Sequence, residues 1–141
     1  MIDKPPRAIL TGLTGAVSGA YSSIAVTSEG MPRVAVGTRG GIIQLFDLTT
    51  GMLSAEHIVH VSTVRGVRWE SPDRLLSFAY QPSSSSTFSN EIALLDLRNG
   101  RKTIIRETKD EPMFIRGIRL SNCRQYMIVL LKERYSVLIV V

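Results

Sequence analysis

The stretch Gly37–Asp47, GTRGGIIQLFD, decides the fold because it is compatible with two different chemistries. A glycine-rich segment with an arginine can hold a phosphate when a helix follows it and directs its N-terminus at the anion. Here a β-branched run follows, and the segment contains no lysine. We therefore favour a β-hairpin, in which glycines supply the positive φ angles of the turn. The residues that fit this hairpin are Gly37, Thr38, Gly41, Phe46 and Asp47.

The pattern around this stretch occurs twice. PRVAVGTRGGIIQLFDLTTG and DRLLSFAYQPSSSSTFSNEIALLDLRNG each begin with an arginine and an apolar run and end on apolar-Asp-Leu and a polar-Gly turn. Arg33 and Arg74 lie 41 residues apart. Asp47 and Asp96 have the same spacing once the eight extra residues of the second unit are removed. The chain is therefore built from repeats.

A second pair of segments supports this period. TVRGVRWESPDR and FIRGIRLSNCRQ share an apolar-Arg-Gly-apolar-Arg core, with Gly66 and Gly117 at matching positions. A repeat of about 40 to 45 residues with several short strands is typical of WD-repeat propellers. Turn-forming clusters separate the strands, and strands such as MIVLL are continuous apolar runs, as expected when both faces of a sheet are buried. The sequence predicts an all-β fold, a partial WD40-type β-propeller with two four-stranded blades and three strands of a third.

The repeat also predicts the division of the chain. Residues 1–20 form an N-terminal lead segment, and residues 21–141 form an incomplete propeller with blades at about 21–61, 62–110 and 111–141. An open propeller leaves an unpaired strand edge and apolar blade faces. We expect the isolated chain to be marginally stable or prone to association.

Part of the polar network that stabilises WD blades is recognisable. His60 precedes the first strand of blade two, and Ser77 lies in its second strand, but Leu95 stands where a tryptophan is usual. In blade one, Gly40 replaces the turn aspartate and Phe46 replaces the tryptophan. We predict a structural role for His60. Trp69, at the end of a first strand, should fill the gap between two blades.

Catalytic residues are not recognisable in this sequence. It shows no paired carboxylates, no Ser-His pair with an orienting acid and no metal-ligand spacing, and Cys123 is better explained as a small turn residue than as a nucleophile. We predict no enzymatic activity, no cofactor, no small-molecule substrate and no DNA binding. A nucleotide-binding enzyme that uses Gly37–Gly41 is disfavoured. A basic surface that contacts RNA or acidic lipid headgroups stays open, because the net charge is +5, although the arginines are scattered.

The second unit contains an insertion, YQPSSSSTFSN, from Tyr80 to Asn90. A flexible low-complexity loop without a role is one interpretation. The other is a modification loop, since hydroxyl side chains accept phosphate groups. The candidate acceptors are Ser83, Ser84, Ser85 and Ser86.

The order of these segments resembles one family. ILTGLTG, then VAVGTRGGIIQLFDLTTG, NEIALLDLRNGR and IRGIRLSNCRQYMIVLLKERYSVLIVV are similar to the start of the second propeller of the WD-repeat-containing protein 11 family. That family would place an aromatic residue and an aspartate near Ile139 and Val140, where this chain has aliphatic residues.

The resemblance implies a function that the composition does not. Members of the family are long cytosolic proteins with two tandem propellers, which act as scaffolds in vesicle tethering at the trans-Golgi network and are linked to cilia and Hedgehog signalling. It implies protein partners, namely Golgi tethering-complex subunits, and a cytoplasmic location peripheral to the trans-Golgi network. Any association with membranes would then occur through these partners.

Overall fold

The computed structural model describes residues 21–27, 31–131 and 135–139. All regular elements in this part of the chain are β-strands, which pair antiparallel in three sheets of consecutive strands. The prediction of an all-β fold with two four-stranded blades and three strands of a third is confirmed. The expected lead segment, residues 1–20, and the last two residues of the expected final strand, Ser136–Val141, lie outside the described residues.

Each sheet follows the chain order from the inner to the outer strand. Blade one contains β1 (Tyr21–Val26), β2 (Arg33–Thr38), β3 (Ile42–Asp47) and β4 (Leu53–Ile58). Blade two contains β5 (Val64–Ser71), β6 (Arg74–Pro82), β7 (Phe88–Asp96) and β8 (Arg101–Glu111). Blade three contains β9 (Ile115–Leu120), β10 (Tyr126–Leu131) and β11 (Tyr135–Ile139).

The blades pack face to face, with their first strands adjacent. β1 and β2 contact β5, and β5 and β6 contact β9. Successive side chains of a strand point to opposite faces, so the two faces of blade two serve two neighbours. Leu75 belongs to the apolar cluster shared with blade one, and Leu76 belongs to the cluster shared with blade three. Both are fully buried. The five consecutive buried residues of β6, Leu75 to Ala79, follow from this double burial and are apolar except for Ser77.

Blade three differs from that expectation. In β10 the buried residues Met127, Val129 and Leu131 alternate with exposed ones. Ile128 is 40% exposed and Leu130 is 37% exposed, although the strand is apolar throughout. The prediction that MIVLL is buried on both faces is therefore wrong for the described residues. Its buried face packs on blade two, and no described residues cover the other face.

The insertion also differs from the expected loop. β6 and β7 continue through it with unbroken pairing, Tyr80 to Asn90, Gln81 to Ser89 and Pro82 to Phe88. Only residues 83–87 form the turn. The insertion is therefore a longer β-hairpin, because its residues satisfy their backbone groups by extending the existing ladder.

Candidate functional site

A buried histidine joins blade one to blade two. His60 lies in the connection between β4 and β5 and is 3% exposed. Its Nδ1 is 2.6 Å from Oε1 of Glu91 on β7, and its Nε2 is 2.8 Å from Oγ of Ser77 on β6. A carboxylate only accepts hydrogen bonds, so Nδ1 carries the proton and Nε2 accepts from the Ser77 hydroxyl. One imidazole therefore ties the two middle strands of blade two to the inter-blade connection.

The surroundings of His60 favour its neutral form. Burial lowers the pKa of His60, and nearby Lys102 adds to this, whereas the Glu91 carboxylate acts in the opposite direction. Lys102 is held in place by a 2.6 Å hydrogen bond from its Nζ to the carbonyl of Val59. The net pKa shift is downward, which agrees with a singly protonated ring between a carboxylate and a hydroxyl.

Ser77, His60 and Glu91 have the hydrogen-bond order of a serine-hydrolase triad. The sequence did not reveal this set because Glu91 lies 31 residues beyond His60. Ser77 is fully buried, and the cavity of about 110 Å³ beside the ring is lined by His60 and Glu91 but not by Ser77. A substrate in that cavity would not reach the hydroxyl, so the set stabilises the blade.

The turn within the stretch Gly37–Asp47 contacts the connection that carries His60. Gly41 has a φ of 83°, and its carbonyl accepts hydrogen bonds from the backbone N–H groups of Val59 and His60. A Cβ at Gly41 would lie 1.9 Å from the carbonyl oxygen of His60. Thr38 is buried, and its Oγ1 accepts from the N–H of Ile42. Positive φ and the close approach of the backbone thus account for glycine at position 41.

The expectation that the glycines of this stretch serve positive φ is confirmed for Gly41 and wrong for Gly37. Among Gly37, Gly40 and Gly41, only Gly41 has a positive φ. Gly37 lies within β2, where it pairs with Ile43 of β3. Its place is therefore in the strand, before the turn begins. Phe46 is fully buried in a cluster with Val34 and Val36 on β2.

Asp47 and Asp96 end the third strands of blades one and two with the same turn. Oδ1 of Asp47 accepts from the Thr49 N–H and hydroxyl, at 2.7 and 2.6 Å. Oδ1 of Asp96 accepts from the Arg98 N–H at 2.9 Å. These hydrogen bonds lower the pKa of both carboxyl groups, chiefly through the side chains of Thr49 and Arg98. Each turn closes on a glycine of positive φ, at positions 51 and 100.

Trp69 lies between the first two blades. Its Nε1 donates to the carbonyl of Ala25 on β1 at 3.1 Å, and the Arg33 guanidinium lies 5.2 Å from its ring centre. Arg33 also donates to the carbonyl of Pro72 and lies 4.0 Å from the Asp73 carboxylate. A tryptophan and an arginine thus connect the blades at the end opposite to His60.

Asn90 performs a comparable role at the junction of blades two and three, and no pattern near it in the sequence predicts this role. Its Nδ2 donates to the carbonyl of Met113 and to the Glu111 carboxylate, and its Oδ1 accepts from the N–H of Ile115. Asn90 and Glu91 are adjacent in β7, so they point to opposite faces of blade two. One therefore serves the junction with blade three and the other serves the junction with blade one.

The inserted hairpin carries an aromatic cluster. Ring centres of Tyr80 and Phe88 lie 4.8 and 5.2 Å from that of Phe114, in the connection to blade three. At the tip, the hydroxyls of Ser83 and Ser84 lie 2.9 and 2.6 Å from the Thr87 hydroxyl. Ser85 and Ser86 are exposed, as are the first two serines. The tip therefore presents hydroxyl groups on an ordered base.

Among the described residues, no group of three or more histidine, cysteine or acidic residues is placed to hold a metal ion. No helix in the same part of the chain is long and apolar enough to span a membrane. Cys123 is exposed in the turn between β9 and β10, 3.3 Å from the Ser121 hydroxyl, which lowers the pKa of the thiol.

Comparison with known families accounts for nearly the whole chain. The profile described as WDR11 second beta-propeller matches residues 2–139. The chain belongs to this family. The blade order, the connection that carries His60 and the repeated aspartate turns all lie within the residues that this profile matches.

Curated relatives agree with the assignment to the WDR11 family. WD repeat-containing protein 11 of Mus musculus is 36% identical over 105 residues, and that of Danio rerio is 38% identical over 106 residues. Each alignment covers 73% of this chain. It covers only 9% and 8% of those relatives, so the chain spans less than a tenth of their length.

Solved structures show the same fold at low sequence identity. The Cps50 (Swd1) β-propeller domain of Myceliophteria thermophila aligns with a TM-score of 0.58 and 12% identity, over 83% of this chain and 39% of that one. Kuenenia stuttgartiensis hydrazine synthase aligns with a TM-score of 0.60 and 16% identity, over 77% of this chain and 30% of that one. These similarities concern the fold alone.

Proposed function

We propose that this chain is part of a non-catalytic WD-repeat scaffold that mediates protein–protein interactions in vesicle tethering at the trans-Golgi network. Membership of the WDR11 family supports this, since WD-repeat propellers are generally non-catalytic scaffolds. The proposed partners are Golgi tethering-complex subunits, and the proposed location is cytoplasmic and peripheral to that membrane. A further role in ciliary or Hedgehog signalling rests on the family resemblance. The division into blades at about 21–61, 62–110 and 111–141 is part of the proposal.

One surface carries the proposal, which we call the hairpin end: residues 58–63 and 80–90. Ile58 is 82% exposed and Val61 is 92% exposed there. Val61 lines a cavity together with Gln81 and Ser89 of the inserted hairpin, so the two segments form one continuous surface. Exposed apolar side chains on propeller loops beside an ordered hairpin are suited to partner contact.

A capture experiment tests this proposal. The 141-residue chain would be immobilised and exposed to purified tethering-complex subunits. Val61→Glu should reduce capture strongly, since a buried charge at an interface is costly. Met52→Glu is the matched control, because Met52 is 59% exposed beside the turn at the opposite end of blade one. Equal capture by both variants, or none by the parent chain, would contradict the proposal.

The alternative function, contact of a basic surface with RNA or acidic lipid headgroups, has one observation in its favour. Arginines that are scattered in the sequence converge on one groove in the fold.

A further inference from the structure

The repeated Arg-Gly-apolar-Arg segments contain the same irregularity in their strands. In β5, Val64 pairs with Ala79 and Gly66 pairs with Phe78, which leaves Arg65 without a partner. In β9, Ile115 pairs with Leu131 and Gly117 pairs with Leu130, which leaves Arg116 without one. Each is a β-bulge, an extra residue that re-aims side chains and is common beside binding sites.

The bulges change the direction of the arginines. In a regular strand, residues three apart point to opposite faces. With one bulged residue included, Arg65 and Arg68 lie on the same side, and so do Arg116 and Arg119. All four are exposed, and all four line a groove of about 300 Å³ between the innermost strands of blades two and three. Gly66 and Gly117 contribute backbone to the same groove.

These charges are not neutralised within the part of the chain that the structure describes. None of the four arginines forms an ion pair there. Arg68 and Arg119 donate only to the carbonyls of the preceding residues, at 3.2 and 3.3 Å, and Arg65 lies 4.5 Å from the Tyr80 ring centre. Four like charges around one groove repel each other, and a bound anion would relieve the repulsion.

Blade one shows that a blade can form this bulge without arginines at these positions. Its first strand has a bulge at the corresponding place, since Tyr21 pairs with Thr38 and Ser23 pairs with Gly37. The bulged residue is Ser22, and Ala25 stands where the second arginine would be. The same backbone therefore forms with small residues, and the arginines of the other two blades require a separate explanation.

We propose that this groove binds a compact, multiply phosphorylated anion of the inositol polyphosphate class, either free or as a lipid headgroup. Guanidinium groups form paired hydrogen bonds with phosphate oxygens, and four such groups suit a ligand with several phosphates around a small ring. The groove volume matches the lower range of small-molecule sites. Single-stranded RNA would require open aromatic faces. Among the described residues that line the groove, Phe78 is the one aromatic, and it is 5% exposed.

Calorimetric titration of the 141-residue chain with inositol hexakisphosphate tests the proposal. The variant Arg65→Gln/Arg116→Gln should bind at least about tenfold more weakly, because charge-assisted hydrogen bonds are lost. Arg39→Gln/Arg101→Gln removes the same charge from exposed residues outside the groove, and its affinity should stay close to that of the parent chain. Similar weakening in both variants would show nonspecific attraction and overturn the proposal, as would no binding by the parent.

Two further experiments, vesicle binding and competition, identify the source of the phosphates and test other classes of ligand. Groove-dependent binding to vesicles that contain phosphatidylinositol 4,5-bisphosphate, but not to phosphatidylserine vesicles, supports a lipid headgroup, whereas binding of the free compound alone supports a soluble ligand. Displacement of inositol hexakisphosphate by lower concentrations of oligouridine or of a glutamate-rich peptide overturns the proposal. If the glutamine variant loses its β-sheet circular dichroism, Arg68→Lys/Arg119→Lys decides: weaker binding supports the proposal, and unchanged binding overturns it.

Discussion

The Nδ1 atom of His60 lies 2.6 Å from the Glu91 carboxylate. His60 belongs to the connection between blades one and two, and Glu91, on a middle strand of blade two, orients its ring. The other ring nitrogen binds the buried Ser77. Both protein partners of the imidazole belong to blade two, while its backbone is held by Gly41 of blade one. His60 therefore links the two blades, blade one through its backbone and blade two through its ring.

Removal of the imidazole should destabilise the protein. His60→Ala leaves the Ser77 hydroxyl buried without this partner, and we expect a loss of about 1 to 3 kcal/mol in the free energy of unfolding. Glu91→Gln is the control, because the amide oxygen still accepts from Nδ1. Urea denaturation followed by circular dichroism measures both. A loss for Glu91→Gln as large as that for His60→Ala would contradict the assigned tautomer.

The stability of the protein should decrease in mild acid. Since the pKa of His60 is lower in the folded state than its ordinary value of 6.5, the unfolded chain binds more protons as pH falls below that value. The unfolding free energy should then fall by up to about 1.4 kcal/mol per pH unit until the folded pKa is reached. His60→Gln should remove this component. His57→Gln, at the other histidine of the chain, should retain it.

Two glycines with similar dihedral angles should respond differently to alanine. Gly41→Ala combines a φ of 83° with a Cβ 1.9 Å from a backbone oxygen, and we expect a loss above about 3 kcal/mol. Gly100 has a φ of 72°, but its nearest neighbour would be the His57 ring at 3.8 Å. Gly100→Ala should cost only about 1 to 2 kcal/mol. Equal losses in thermal or chemical denaturation would show that dihedral strain alone matters.

The indole of Trp69 should contribute more to the stability of the protein than its volume alone would. Trp69→Phe removes the hydrogen bond to Ala25 and weakens the contact with Arg33, so we expect a loss of about 1 to 2 kcal/mol. Tyr126→Phe is a suitable control, since Tyr126 is 46% exposed. Denaturation midpoints would be compared at constant slope. An unchanged midpoint for Trp69→Phe would place the stabilisation elsewhere.

The sequence predicts strands well where periodicity and turn residues agree. The repeat predicted the number of strands in each blade, and the Asp-to-Gly turns after Asp47 and Asp96 have the same geometry, as their shared pattern indicated. Such features are local, because they depend on residues within a few positions of one another. They could therefore be predicted from the sequence alone.

Contacts between residues that lie far apart in the sequence could not be predicted in the same way. Glu91 and Asn90 are polar residues in a strand, and nothing near them in sequence indicates that one binds His60 and the other binds the entry to blade three. The groove could not be predicted for a related reason: Arg65 and Arg68 would face opposite sides of a regular strand, and the sequence does not show the bulge. Pairing irregularities are set by tertiary contacts, which a single sequence does not display.

The inserted hairpin has a consequence for how this chain can vary in length. Its eight extra residues are an even number, so both strands can lengthen equally while every inward side chain keeps its face. Additions or deletions in pairs at the tip would move only the turn and leave the Leu75 and Leu76 layers in place. An odd change would be absorbed by a different turn length or by a new bulge. The hairpin of β6 and β7 can therefore become longer or shorter by one residue per strand without any repacking of the neighbouring blades.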